Sequence, residues 1–237
     1  MEKTPFRWSI ALILLSLSMA MGFLSDLKDA EVIYLPEYHD SIQDHKFQED
    51  VIKRLHQEGY KVVILMEMFQ QPFQRYLDEY ISGKISEEEM LEKTEYKKSW
   101  GFPSEYYAPI WRFAREKGIK IYAINLPTEV VRKIGAEGLE NVKDPALPER
   151  IYEYTPEEKD RLKSVLKNHP PIDEKRFFDV QLAWDHAMAM KVIQILEEEK
   201  AKVVVLIGRG HAYELNSGVP KIVGLLRKGT KQVILER

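Results

Sequence analysis

Two carboxylates and two imidazoles stand where a chain of alternating strands and helices does chemistry. Glu37 and His39 lie in Glu37-Tyr38-His39-Asp40, Glu67 inside Ile64-Leu65-Met66-Glu67-Met68-Phe69, and His211 in Gly208-Arg209-Gly210-His211. Neutral imidazole nitrogen and carboxylate oxygen together suit a divalent metal ion, with His39, His211 and Glu67 as its ligands. The same set also suits a general base with an orienting partner, directing water at an acyl group. Glu67 is the sharpest of the four. An acid within so apolar a run must reach the sheet edge or be paired, because burying it alone is costly.

Weaker candidates surround this set. Asn125 ends a strand-like run, and Asp185, one turn after Gln181, is placed to face the same crevice. His45 near the start of a helix is within reach, or caps that helix. His56 reads as solvated, His169 before two prolines as a loop residue, and His186 as a structural hydrogen-bonder beside Asp185. Gly208-Arg209-Gly210 allows close backbone approach to a ligand but lacks the spacing of a phosphate-binding loop. No Ser sits in a G-x-S-x-G elbow, which disfavours a serine hydrolase.

The elements that must position these residues follow from periodicity. Glu31–Leu35, Lys61–Met68, Ile119–Leu126, Lys202–Ile207 and Gln232–Leu235 are β-prone runs, the first of them expected to stop at Pro36. Helical spacing covers about 44–58, 70–81, a segment after Ser86 with a Ser-x-x-Glu capping box, 106–117, 128–134, 156–167 and 174–199. Alternating strands and helices imply an α/β fold: a mainly parallel central sheet with helices on both faces and a small helical insertion or subdomain. The proline-rich stretch after Asn141 marks that lid or subdomain, at about 141–172. Ligands in such sheets bind beyond the carboxyl ends of the strands, where Glu37, Glu67, Asn125 and His211 fall.

Composition removes several classes. A net charge of −3 gives no footprint for a polyanion, so nucleic acid is not an expected partner. Zero cysteines exclude disulfides, thiolate nucleophiles, cysteine-bound metal centres and a lipoprotein anchor. Lys3 and Arg7 precede an uncharged stretch from Trp8 to Leu24, with Ser18-Met19-Ala20 as a cleavage site. Residues 1–22 therefore read as a signal peptide or an N-terminal membrane anchor, and 23–237 as the exported domain, periplasmic or tethered by that segment.

In their order along the chain these motifs resemble a family, the ChaN-like haem-binding uptake proteins. The wider group includes Tiki, TraB and the erythromycin esterases. Pro36-Glu37-Tyr38-His39-Asp40 matches G-E-x-H-D, and Leu65-Met66-Glu67-Met68-Phe69 matches an E-M-F strand. Trp100-Gly101, Asn125-Leu126-Pro127, Gln181-x-x-Trp184-Asp185-x-x-Met188-Ala189, Gly208-x-Gly210-His211 and Gly218-Val219-Pro220 complete the likeness. Pro36 stands where the family has glycine, and the lipobox cysteine of lipoprotein relatives is missing.

The resemblance implies an exported protein of iron or haem uptake that binds ferric haem through a tyrosine, with paired haems held between two subunits. Tyr213 is the best-matched ligand, and tyrosinate favours ferric iron. The implied haem site also draws on His211, His39, Glu37, Glu67, Asn125 and Asp185, with loops such as 100–107 over the porphyrin. Implied partners are haem, a second copy of the chain on haem binding, and an outer-membrane or ABC-type uptake system. The hydrolytic branch implies instead a metal-dependent esterase or peptidase-like enzyme, with Glu37, His39, Glu67 and His211 catalytic. A third expectation is an exported scaffold with an idle site.

Overall fold

The computed structural model describes residues 27–166 and 173–237, and everything below lies in the unit Glu31–Arg237. The signal or anchor segment 1–22, His169 and the end of the 141–172 insertion fall outside the described residues. Five strands form one sheet: β1 (Val32–Glu37), β2 (Val62–Gln70), β3 (Ile121–Asn125), β4 (Lys202–Gly208) and β5 (Gln232–Ile234). Their order is β3-β2-β4-β1-β5, and every pairing is parallel. The helices are α1 (Ile42–Gln57), α2 (Gln74–Ile81), α3 (Glu87–Lys93), α4 (Tyr96–Ser99), α5 (Ala108–Lys117), α6 (Thr128–Glu137), α7 (Pro156–Leu166), α8 (Glu174–Glu198) and α9 (Gly218–Leu226). Among the described residues no helix is long and apolar enough to cross a membrane.

Parallel strands covered on both faces need side chains that are apolar in both directions, and β1, β2 and β4 are buried at every position. Successive side chains point to opposite faces. Val32, Tyr34, Val63, Leu65, Val203 and Val205 pack with Met188 and Val192 of α8 and Val219 and Ile222 of α9. The opposite face lies under α1, α2 and α5, where Val51, Ile52, Leu55, Leu77, Ile110 and Trp111 are buried. The 142–155 stretch has no regular structure, yet Val142 and Tyr154 join Leu162, Phe177 and Leu182 in a second apolar cluster.

Local signals account for several boundaries. Ser41 caps α1, its side chain accepting the Asp44 N–H at 3.3 Å, and the Ser86–Glu89 capping box opens α3 with both reciprocal bonds formed. Gly118 closes α5 in the left-handed region, at φ 65°.

β1 does not stop at Pro36 but runs through it to Glu37, with Pro36 opposite Ile207 of β4. The reason is the alternation of backbone groups. Val32 N–H and Tyr34 C=O bond towards β5, so the missing Pro36 N–H faces that same side. β5 pairs only with Val32 to Tyr34, so no ladder bond is lost there.

Candidate functional site

Alternation places the two buried acids on opposite faces of the sheet edge. Glu37 shares a face with Ile33 and Leu35, beneath α1 and α5. Glu67 shares a face with Val63 and Leu65, beneath α8. Gly208, the last residue of β4, lies between them.

On the first face four side chains converge on Glu37. Its Oε1 accepts from Tyr107 OH at 2.5 Å and meets His39 Nδ1 at 2.9 Å, while Oε2 accepts from Gln48 Nε2 at 2.7 Å. His45 Nδ1 lies 3.4 Å from Oε2, an electrostatic contact without hydrogen-bond alignment. Burial alone would raise the Glu37 pKa, but the bond from His39 and the charge of both histidines outweigh it and hold the group at about 2. His39 and His45 show the reciprocal effect: burial pulls each down, and Glu37 more than restores them, so both are raised.

On the second face the ladder between β2 and β4 ends at Met66 opposite Leu206. Beyond it Glu67 Oε2 takes the Gly208 N–H at 2.5 Å, replacing the ladder bond with a side chain. Glu67 Oε1 lies 3.5 Å from His211 Nε2, and His211 Nδ1 meets Asp185 Oδ1 at 2.6 Å. Asp185 Oδ2 accepts from Tyr154 OH at 2.6 Å. Burial opposes the charged imidazole of His211, but Glu67 and Asp185 raise it to about 9.

Gly208 lets the two halves meet. A Cβ there would come 2.8 Å from His39 Cε1, 2.9 Å from His39 Nε2 and 3.4 Å from Glu67 Oε2. The His39 ring therefore lies over bare backbone, close to the Glu67 carboxylate, and both Glu67 and Glu37 favour its charged form. Three imidazoles and three carboxylates alternate across the edge of the sheet, from His45 to Asp185. Opposite charges in this low-dielectric setting attract strongly enough to offset much of their desolvation. Among the described residues no group of three or more His, Asp or Glu converges as metal ligands do.

Glu37, His39, Glu67 and His211 thus come together, and Asp185 and His45 join them. Asn125 is committed to backbone: Nδ2 donates to Glu67 O at 2.9 Å and Oδ1 accepts Leu126 N–H at 2.8 Å. It fills the gap left by the β2–β3 register shift between Met66 and Gln70. His186 is structural, with Nδ1 on Leu182 O, Nε2 accepting the Tyr152 N–H, and burial lowering its pKa. The 100–107 stretch turns inward, Trp100 and Phe102 packing on His39 at 4.7 and 5.1 Å and Tyr107 wholly buried.

Sequence reasoning missed Tyr107, Gln48 and Tyr154. Gln48 was accessible, since it falls on the apolar face of α1 with Val51, Ile52 and Leu55. Nothing in spacing marked the two tyrosines.

Tyr213 lies outside this buried cluster and is 48% exposed, while Tyr38 is 59% exposed. Each carries a guanidinium on its ring, Arg161 at 4.6 Å from Tyr213 and Arg209 at 5.0 Å from Tyr38. Both tyrosines border a cavity of about 250 Å³.

Comparison with known proteins gives a consistent picture of the fold. The structure described as cofacial heme binding to ChaN of Campylobacter jejuni superposes with a TM-score of 0.70 at 19% identity, over 91% of this chain and 84% of that one. A variant of the erythromycin esterase EreC in its open conformation superposes with a TM-score of 0.51 at 16% identity, over 88% and 70%. At these identities the likeness is one of fold. No curated protein sequence matches. The family model described as haem-binding uptake, Tiki superfamily, ChaN matches residues 23–223, and the chain belongs to that family.

Proposed function

We propose that this chain is an exported protein of haem uptake or handling that binds ferric haem at the carboxyl edge of its sheet, with Tyr213 as the iron ligand. The observation that carries the reading is the state of Tyr213. It is half exposed, its hydroxyl engages no protein group among the described residues, and it lies two residues beyond His211, beside the cavity. A phenolate oxygen favours the ferric state. Exposed Tyr38, Ile42 and Leu215 supply apolar surface that a porphyrin plane can cover. The Glu37–His39 and His211–Asp185 groups hold the loops that present this surface.

The family and the ChaN likeness support haem as the ligand. A second copy of the chain, joined on haem binding, and an uptake system in the envelope complete the proposal. Residues 1–22 serve in it as signal or anchor. Titration of the domain from residue 23 with hemin, followed in the visible spectrum, tests the reading. Charge-transfer bands of a tyrosinate complex are expected, lost in Tyr213→Phe with the thermal transition kept. Bands unchanged in that variant would move the ligand to Tyr38, and a spectrum identical to free hemin would end the proposal. Sedimentation with and without hemin tests the dimer.

A second reading, hydrolysis by Glu37, His39, Glu67 and His211, is favoured by the short His211–Asp185 bond, which fixes the ring with Nε2 towards Glu67. Groups that act as one unit lose activity non-additively. On this reading His39→Ala and His211→Ala each abolish esterase turnover as fully as the pair, and a divalent ion raises the melting temperature of the native chain. No metal response and no turnover would exclude it.

A further inference from the structure

A second cavity borders the 142–155 stretch and shares no lining residue with the one beside Tyr213. Its volume is about 1140 Å³, more than the roughly 300–1000 Å³ that suits a small molecule. The floor is apolar: Leu139, Val142, Phe178 and Leu182 are buried in it, with Leu147 and Ile151 half-buried. The rim carries six carboxylates against three lysines, so its field is negative. Lys175 is committed to Glu140 and Asp179 at 3.0 Å each, and Lys159 approaches Glu153 only to 3.9 Å. Among the described residues, Asp144, Glu149 and Glu174 of this rim pair with no cation.

The backbone that borders this cavity is open as well. Side chains from Ile151 to Tyr154 alternate as in an extended chain: Tyr152 stacks on His186 at 6.2 Å and Tyr154 bonds Asp185, both towards α8, while Ile151 and Glu153 line the cavity. His186 Nε2 accepts the Tyr152 N–H at 2.8 Å. The backbone N–H and C=O groups of Ile151 and Glu153 meet no protein partner among the described residues. Donors and acceptors left open at alternate residues are what an added strand pairs with. A lone cation or a small apolar molecule would leave them to water.

We propose that this cavity is the docking groove for an extended, cationic segment of a partner protein, which adds as a strand along Ile151–Glu153. The segment's backbone takes the open donors and acceptors, its apolar side chains fill the floor, and its lysines or arginines meet the rim carboxylates. Charge at such a rim governs partner choice and encounter rate more than raw affinity. The groove is also joined to the buried cluster. Tyr154, next to Glu153, donates to Asp185, and Asp185 orients the His211 ring. The groove stands independently of haem at the cavity beside Tyr213.

The test uses the domain from residue 23 without haem and a short fluorescent peptide of alternating lysine and valine. Anisotropy reads binding, and hydrogen exchange reads the amides of the 142–155 stretch. Saturable binding is expected, with exchange slowed at Ile151 and Glu153. A triple variant, Glu149→Gln with Glu153→Gln and Glu174→Gln, changes only exposed side chains, and should bind about tenfold more weakly with its melting transition kept. The same peptide N-methylated at every residue keeps its charge and apolar surface but cannot pair as a strand, and should also lose about tenfold or more. Equal binding by the native domain and the triple variant overturns the proposal, as does undiminished binding of the methylated peptide. Displacement of the peptide by an equal concentration of hexyltrimethylammonium would make the groove a small-molecule site and overturn it too. Protection confined to other segments, or no binding at all, has the same result.

Discussion

Tyr107 and Glu37, 70 positions apart in the chain, are joined by a 2.5 Å hydrogen bond buried beneath α1 and α5. Desolvation and the Glu37 charge push the Tyr107 phenol far above its usual range, so it stays a donor at every accessible pH. Tyr107→Phe keeps the ring and removes the donor. Loss of a hydrogen bond to a charged group should cost about 1.5–3 kcal/mol in urea unfolding. A cost near zero would mean that Gln48 and His39 satisfy the carboxylate alone.

Glu37 also sets an acid limit. Its folded pKa of about 2 lies below the usual value of 4.5, so its contribution is complete above the unfolded pKa and is lost as pH falls through the folded one. Between pH 5 and pH 2 the native domain should lose more stability than Glu37→Gln does. The difference is on the order of 2–3 kcal/mol. Parallel acid profiles for the two proteins would contradict this account of Glu37.

Glu67 heads the interactions that raise His211 to about 9. In Glu67→Gln that charge is gone, and the His211 ring should titrate lower, followed by its NMR shifts against pH. Removing a negative neighbour disfavours imidazolium, so the direction is fixed. Since Glu67 also holds the Gly208 N–H, the variant should be destabilised by about 1–3 kcal/mol. An unchanged His211 titration would show that Asp185 alone sustains the charge.

Two glycines after β4, one in the turn that follows it and one opening α9, should behave differently. At Gly218, with φ +53°, a Cβ would lie 2.3 Å from the backbone oxygen of His211, whereas at Gly210 nothing lies within 4 Å. Gly218→Ala should cost about 2 kcal/mol or more, from strain and overlap with rigid backbone. Gly210→Ala should stay within about 0.5 kcal/mol of the native melting equilibrium. Similar effects at both would mean that the loop relaxes freely.

The sheet was legible because its strands are near-continuous apolar runs separated by helical periods, and the carboxyl-edge rule then located Glu37, Glu67 and His211. Asp185 was reachable through its spacing from Gln181. Pro36 misled, since its effect on a strand depends on which neighbour its missing N–H faces, and that is set by where β5 ends about 200 residues later. Tyr107 and Tyr154 were invisible for a related reason. Their partners are 70 and 31 positions away, and no local period encodes such a contact. Asn125 drew attention by its place at a strand end, but a register shift gave it backbone to satisfy.

The strand order has a consequence for how the chain is made. β4 lies between β1 and β2, so Glu37 and Glu67 have no shared framework until residues 202–208 are in place. A ribosome that has released β1, β2 and β3 has made all the pieces of the first half but only Glu67 of the second, with the seam between them open. Closing it requires pairings such as Val32 with Val203 and Val63 with Val203, which are slow because of their sequence separation. The charged cluster is therefore sealed among the last events of folding. A chain that stops before residue 208 lacks Gly208 and His211, and with them the seam strand's end and the second face of the site.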